Sequence, residues 1–200
     1  MSILLILFII VVAGAALLMW GVGIYNGLVT ARNAYKNAFA QIDVQLQRRF
    51  DLIPNLVETA RAYMSHERET LEAVIAARSA AQSGLAAAKA NPGDPEAMAA
   101  LAASQGQLNG VLGRLMMVAE AYPDLKANQN MMQLTEELTT TENKVAFARQ
   151  AYNDSVMAYN NRREVFPSSL VAGTFNFAPA ALLDIPADKP EVREAPKVQF

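Results

Sequence analysis

The chain has 200 residues, a formal net charge of -2 at pH 7 and a hydrophobic fraction of 52%. This balance argues against a nucleic-acid-binding protein, because such proteins normally carry a basic surplus on one face. With no cysteine and one histidine, disulfides, thiolate catalysis and cysteine-ligated metal centres are excluded, and a conventional zinc site lacks ligands.

The first predicted element is a transmembrane helix. From Ile3 to Tyr25 no side chain carries a charge, and the first charged side chain is Arg32. About 22 residues at about 1.5 Å each span about 33 Å, enough to cross the hydrocarbon core. Trp20 and Tyr25 lie near the downstream end, where amphipathic rings prefer the membrane interface. A cleaved signal peptide would carry a basic n-region and a shorter apolar stretch, so residues 1–25 are predicted to be an anchor.

The side of the membrane on which the domain lies stays open. Basic residues follow the span at Arg32, Lys36, Arg48 and Arg49, and Asp43 is the one acidic residue among residues 32–49. By the positive-inside rule this bias favours the cytoplasmic face of a bacterial inner membrane. The rule decides weakly for so short an N-terminal tail.

Beyond the span, apolar residues keep a three-four spacing that predicts a continuous helix to about Phe50. Pro54 interrupts this pattern, since proline removes a backbone donor and clashes with the preceding turn. We therefore expect a kink or break there, with Asp51 capping a second helix that runs to about Lys89.

The clearest turn occupies residues 91–95, in which Asp94 is predicted to be an N-cap and Pro95 the first residue of a third helix. That helix is expected to end near Ala121, and a fourth to run from about Ala127 to about Glu164. The apolar seam of the fourth helix has bundle spacing and comprises Met131, Leu134, Leu138, Thr141, Val145, Ala148, Tyr152, Ser155 and Tyr159.

These patterns predict an all-α protein: an N-terminal transmembrane helix that continues into an antiparallel long-helix bundle of the four-helix type. The bundle is assigned to residues 26–165. Residues 166–185 are predicted to be an irregular segment that packs on the bundle or on a neighbouring subunit. Residues 186–200 are predicted to be a flexible tail.

A dense polar motif precedes the expected break, in residues 41–51. It places Asp43 and Gln47 on one helix face. Three of its charged residues, with one residue beyond it, are predicted to form an ion-pair network around Pro54 that fixes the angle between the first two helices: Arg48, Arg49, Asp51 and Glu58. The alternative is that the two arginines bind a partner or lipid headgroups.

Two Tyr-Asn pairs occupy the fourth helix, Tyr152 with Asn153 and Tyr159 with Asn160. Asparagine is a poor helix former. Buried amides that specify register in a helical assembly would explain these positions, and a polar surface is the alternative. Residues 173–177 are expected to fold back, with both phenylalanine rings on the bundle or on a neighbouring subunit.

An enzymatic site finds little support. His66 and Glu67 match the start of a metalloprotease helix motif, but Thr70 stands where the second histidine belongs. A di-metal centre in a bundle needs histidines paired with glutamates on two helices, which one histidine cannot supply. No catalytic, cofactor-binding or metal-ligating residue is predicted.

The same motifs resemble the signature of the LemA family, from the end of the span to about residue 177. The matching stretches are residues 25–29, 32–33, 41–49, 51–59, 122–127, 137–138, 141–144, 152–154, 159–160 and 166–167. The candidate interface or structural residues are Tyr25, Asn26, Arg32, Asn33, Asp43, Arg48, Arg49, Asp51, Pro54, Glu58, Tyr152, Asn153, Tyr159 and Asn160. The chain departs from the pattern at Met131, where an aromatic is common, and at Asn176, where a glycine is common.

The resemblance implies a bacterial membrane protein with an N-terminal anchor and an antiparallel bundle, and it supplies no agreed activity. Some relatives carry a lipoprotein cysteine before the Tyr-Asn pair and would place the domain outside the cytoplasm. Gly23 and Ile24 stand here instead, which excludes lipidation. The spacing of Gly23 and Gly27 favours self-association of the span.

The leading hypothesis is a non-enzymatic, self-associating bundle that scaffolds the cell envelope, with the lipid bilayer, further copies and envelope proteins as partners. The alternatives are a membrane-remodelling or lipid-sensing bundle and, third, a hydrolase that uses His66 and Glu67.

Overall fold

The computed structural model describes residues 2–184, so the predicted flexible tail lies outside the described part. Within that range the fold is all-α, which confirms the prediction. The helices are α1 (Ser2–Arg61), α2 (Arg68–Ala90), α3 (Pro95–Ala119), α4 (Pro123–Lys126), α5 (Gln129–Glu164) and α6 (Ser168–Thr174).

The bundle is built from two helix pairs, because α1 packs along α5 and α2 packs along α3. The first pair is antiparallel: the ring of Tyr35 lies 5.2 Å from that of Tyr159, whereas the ring of Phe39, later on α1, lies 5.8 Å from that of Tyr152, earlier on α5. α1 supplies much of the core. Its fully buried large side chains are Leu28, Phe39, Ile42, Leu46, Phe50, Ile53 and Leu56. Burial of one such side chain stabilises the fold by about 1.5–3 kcal/mol.

The apolar first part of α1 is long and apolar enough to cross a membrane. Its most apolar window has a mean hydropathy of 3.0, and none of that window is buried inside the protein. Burial by the bundle starts around Ile24 and Tyr25, and Leu28 is the first fully buried side chain. The change from exposed to buried therefore occurs within about two turns of one helix.

The predicted end of the first helix near Phe50 and the break at Pro54 are wrong, since α1 is continuous to Arg61 with Pro54 inside it. Asp51 accordingly begins no new helix. Proline has no N–H to donate to the carbonyl oxygen four residues earlier, which belongs to Phe50. The Nε–H of Arg78 on α2 donates to that oxygen at 2.7 Å and replaces the missing donor.

The chain turns between α1 and α2 at residues 62–67 instead. The N–H of Met64 donates to the carbonyl of Ala60 at 2.9 Å, and that of Glu67 donates to the carbonyl of Met64 at 3.1 Å. Met64 is fully buried and fixes the turn on the core.

The turn before α3 follows the prediction, since Asp94 is the N-cap and its Oδ1 accepts from the N–H of Ala97 at 2.9 Å. Gly93 has a φ of 91°, which favours glycine. α3 ends at Ala119, slightly earlier than expected, and the short α4 was not predicted.

α5 begins after its N-cap, Asn128. Six of the nine predicted seam residues are buried, and Leu134, Ala148 and Ser155 are half-buried. Val156 is buried where Ser155 was expected.

Residues 166–184 contain the short helix α6 and then a stretch without regular secondary structure. We call residues 175–184 the strap, because they run back along α5. Asn176 in the strap has a φ of 52°. This left-handed conformation suits glycine and, next to it, asparagine, which agrees with the glycine that the resemblance leads one to expect at this position.

Candidate functional site

The Tyr-Asn pairs of α5 hold the strap against the bundle. They are seven residues apart, about two helical turns, and therefore share one face. The hydroxyl of Tyr152 donates to the carbonyl of Ala181 at 2.8 Å, and that of Tyr159 donates to the carbonyl of Ala178 at 2.7 Å.

Each asparagine amide pairs with both backbone groups of one strap residue. Asn160 accepts from the N–H of Ala180 at 3.0 Å and donates to its carbonyl at 2.8 Å. Asn153 accepts from the N–H of Leu183 at 2.9 Å and donates to its carbonyl at 3.2 Å. An amide carries a donor and an acceptor side by side, so it can pair with the N–H and the carbonyl of one residue at the same time.

Two further groups complete this arrangement, and sequence reasoning missed both. The Nε–H of Arg163 donates to the carbonyl of Phe177 at 2.8 Å. The carbonyl of Gly93, in the turn before α3, accepts from the N–H of Ala181 at 2.8 Å. We call the α5 side chains Tyr152, Asn153, Tyr159, Asn160 and Arg163 the strap clamp.

The tyrosines of this region lie close together and are buried. Burial raises the pKa of Tyr152 well above its usual value, and the neighbouring Tyr35 raises it further. Burial also raises the pKa of Tyr35 and that of Tyr159, although Arg32 partly opposes both shifts. The hydroxyls therefore stay protonated far above neutral pH and remain hydrogen-bond donors.

The start of the strap rests on α1 just beyond the membrane span. The ring of Tyr25 makes edge contacts with Phe175 at 4.9 Å and with Phe177 at 5.5 Å between centroids. The guanidinium of Arg32 lies 5.0 Å from the Phe177 ring centroid, a cation–π contact. Tyr25 and Arg32 are thus structural partners of the strap.

The two asparagines nearest the span behave differently from those on α5. The side chains of Asn26 and Asn33 are exposed on α1, and the backbone carbonyl of Asn26 accepts from the hydroxyl of Thr30 at 2.9 Å. Both positions are open to probes attached near the membrane.

The charged side chains around the proline differ in their surroundings. Asp43 pairs with Lys89 on α2 at 2.7 Å. The side chains of Arg48, Asp51 and Glu58 are exposed, and in the described part of the chain no ion pair joins these three. Near Pro54, α1 and α2 are joined by the hydrogen bond from the Arg78 Nε–H to the Phe50 carbonyl.

The same geometry argues against headgroup binding by the two adjacent arginines. Arg49 is buried, with 5% of its surface exposed. Arg48 follows Tyr25 by 23 residues on one continuous helix, which places it about 35 Å further from the membrane at the usual rise.

His66 and Glu67 lie in the turn between α1 and α2, at the end of the bundle far from the membrane. His66 is exposed, and the Glu67 carboxylate faces the Tyr122 hydroxyl at 3.5 Å. Thr70 is buried. Among residues 2–184 there is no group of three or more His, Asp or Glu side chains that could hold a metal.

A groove of about 560 Å³ opens at this distal end between α3, α4 and α5. Its walls are mainly apolar and include Met116, Leu125, Met131 and Met132. Lys126, Glu120 and Glu136 supply charges among the lining residues.

The comparisons with known proteins agree on one family. A family model described as LemA family matches residues 38–200. Protein LemA of Metamycoplasma hominis is 26% identical over 151 residues, covering 76% of this chain and 64% of that protein. Magnetosome protein MamQ 2 of Paramagnetospirillum magneticum is 25% identical over 166 residues, covering 74% and 60% respectively.

A third relative, magnetosome protein MamQ of Magnetospirillum gryphiswaldense, is 26% identical over 151 residues, covering 68% of this chain and 56% of that protein. The chain thus spans less than two thirds of the length of these curated relatives.

Proposed function

The chain belongs to the LemA family, and we propose that it is a non-enzymatic, membrane-anchored scaffold of the bacterial cell envelope that assembles with further copies of itself. The observation that carries this proposal is the continuity of α1, which is 60 residues long. One helix provides the apolar span and then the buried core from Leu28 to Ala60. The bundle is therefore held at a fixed position relative to the bilayer, as a scaffold requires.

Self-association is supported by surfaces that a single copy leaves uncovered. A Cβ atom added at Gly14, Gly21 or Gly23 would meet nothing within 4 Å, so a second membrane helix can approach α1 closely. On the bundle, Phe147 is 76% exposed and Met117 is 74% exposed. For the membrane, we propose the bacterial inner membrane, with the bundle on the cytoplasmic face that the basic residues after the span favour.

The absence of cysteine makes the assembly test direct. Asn26→Cys introduces a single thiol next to the span, and Ala62→Cys introduces one in the distal turn. We expect a bismaleimide to crosslink Asn26→Cys into dimers in intact cells, and native mass spectrometry of the unmodified protein in nanodiscs to show more than one copy per disc. Ala62→Cys reports whether the contact extends to the distal end.

A strictly monomeric protein in detergent and in nanodiscs, together with no crosslinked species from either thiol, would contradict the self-association.

A further inference from the structure

We propose that three apolar side chains between the end of α5 and the end of α6, which we call the foot, rest in the membrane interface. We define the foot as Phe166, Leu170 and Phe175. These side chains insert at the boundary between lipid headgroups and acyl chains in the bilayer that α1 crosses, and Arg162 binds lipid phosphates beside them. This inference does not depend on self-association.

The position of the foot follows from its contacts with α1. The ring of Phe175 lies 4.9 Å from that of Tyr25, which marks the downstream end of the span. A Cβ atom added at Gly27 would lie 2.5 Å from the guanidinium of Arg162, so the last turn of α5 lies directly against this part of α1. The foot is thus held at the level where the span leaves the bilayer.

The foot is apolar on its outer side and packed on its inner side. Phe166 is 79% exposed, Leu170 is 64% exposed and Phe175 is 58% exposed. On the opposite side of α6, Ala172 is buried in the core. Three large apolar side chains are therefore presented outward from a segment that is fixed to the bundle.

The bilayer is the partner because the span itself is the neighbouring apolar surface. Trp20 and Val22, in the turns just before Tyr25, are 56% and 58% exposed and face lipid in a spanning helix. The foot extends this apolar surface sideways at the same level, as an interfacial segment does when its apolar side chains lie at the headgroup boundary.

The charges around the foot suit an anionic lipid surface. Arg162 is exposed on the last turn of α5, where its long stem can stay in the interface while its head reaches phosphate. Arg163 is engaged with the Phe177 carbonyl and lies 3.2 Å from the Glu164 carboxylate. The charge of Glu164 is thus offset by Arg163, and the positive charge of Arg162 can bind lipid phosphates.

Tryptophan fluorescence tests this placement in the full chain. In a Trp20→Phe background, Phe166→Trp places the single tryptophan in the foot. Phe147→Trp is the matched control, at a residue of α5 that is 76% exposed and lies about 26 Å before the end of that helix. Both variants are reconstituted in nanodiscs made of brominated or ordinary phosphatidylcholine and phosphatidylglycerol.

We expect brominated lipid to quench the tryptophan at position 166 at least twofold, with blue-shifted emission, and to leave that at position 147 unquenched. Equal quenching at the two positions would overturn the placement of the foot in the membrane interface. The absence of lipid quenching at position 166 would overturn it as well, and would leave a protein as the partner of this surface.

The arginine is tested in the same discs. We expect Arg162→Glu to reduce the quenching at position 166 by half or more in discs with phosphatidylglycerol. Arg114→Glu, a change at an exposed arginine on α3, should leave the quenching unchanged. Equal effects of the two substitutions would overturn the assignment of Arg162 to lipid phosphate.

Discussion

Replacement of Arg78 by methionine should destabilise the protein because it removes the donor that compensates for Pro54 inside α1. The Phe50 carbonyl accepts from the Arg78 Nε–H at 2.7 Å. With Arg78 changed, this oxygen loses its donor, since the residue four positions later is a proline. Methionine keeps a long apolar stem, so the substitution removes chiefly the hydrogen bond and the charge.

The size of the effect follows from the position of the bond. A hydrogen bond to a charged group contributes about 1.5–3 kcal/mol when its partner is otherwise left unsatisfied. Arg78 is half-buried, so water can replace part of the interaction. We therefore expect the free energy of unfolding to fall by about 1.5 kcal/mol, at the lower end of that range.

A double-mutant cycle isolates this bond. Pro54→Ala restores an N–H that reaches the Phe50 carbonyl within the helix, so Arg78→Met should cost about 0.5 kcal/mol or less in that background. Urea unfolding in detergent micelles, followed by circular dichroism at the helical minimum, measures all four variants. Arg68→Met is the control, because Arg68 is an exposed residue of α2 whose ion pair among the described residues is with Glu72.

Equal costs of Arg78→Met in the two backgrounds would refute the reasoning, and so would a cost no larger than that of Arg68→Met.

Three further predictions concern the strap and α1. Asn160→Ala removes two hydrogen bonds to the strap, so amide hydrogen exchange in the strap should accelerate about tenfold or more, while Asn161→Ala, at an exposed neighbour, should not change it. The pKa of Tyr152 is raised in the folded state, so its contribution to stability is complete below about pH 10 and is lost as the pH rises towards the folded-state pKa. Tyr152→Phe should therefore flatten the decline of Tm above about pH 10. An unchanged slope of Tm against pH would count against this. Spin labels on cysteines that replace Asn26 and Arg48 should give one narrow distance distribution centred at about 33 Å in pulsed electron–electron double resonance. A broad distribution would reveal a flexible break in α1.

The elements of this fold that depend on local chemistry could be predicted from the sequence. The charge-free stretch identifies the span, and Asp94 followed by Pro95 identifies the start of α3, because an N-cap and a first-turn proline act within a few residues. The spacing of apolar residues likewise gives most of the buried face of α5.

The elements that depend on distant partners could not be predicted in this way. Pro54 predicts a break by its own chemistry, and the compensating donor, Arg78, lies 24 residues further along the chain on another helix. The amides of Asn153 and Asn160 indicate a polar partner, but periodicity does not identify it as the strap, whose backbone they bind. The hydrogen bond from the Ala181 N–H to the Gly93 carbonyl could not be predicted either, because only the folded chain brings the turn before α3 next to the strap.

Because α1 is unbroken, it also fixes the rotation of the bundle about the helix axis, and with it the side of the bundle that faces a neighbouring copy in the membrane. Each residue of a helix turns the chain by about 100°, so one alanine inserted between the span and Leu28 would swing the bundle by about that angle relative to the span. Seven inserted residues would return it to within about 20° of the original direction. The number of residues between the lipid-facing turns and the core therefore determines which surface each copy presents to the next.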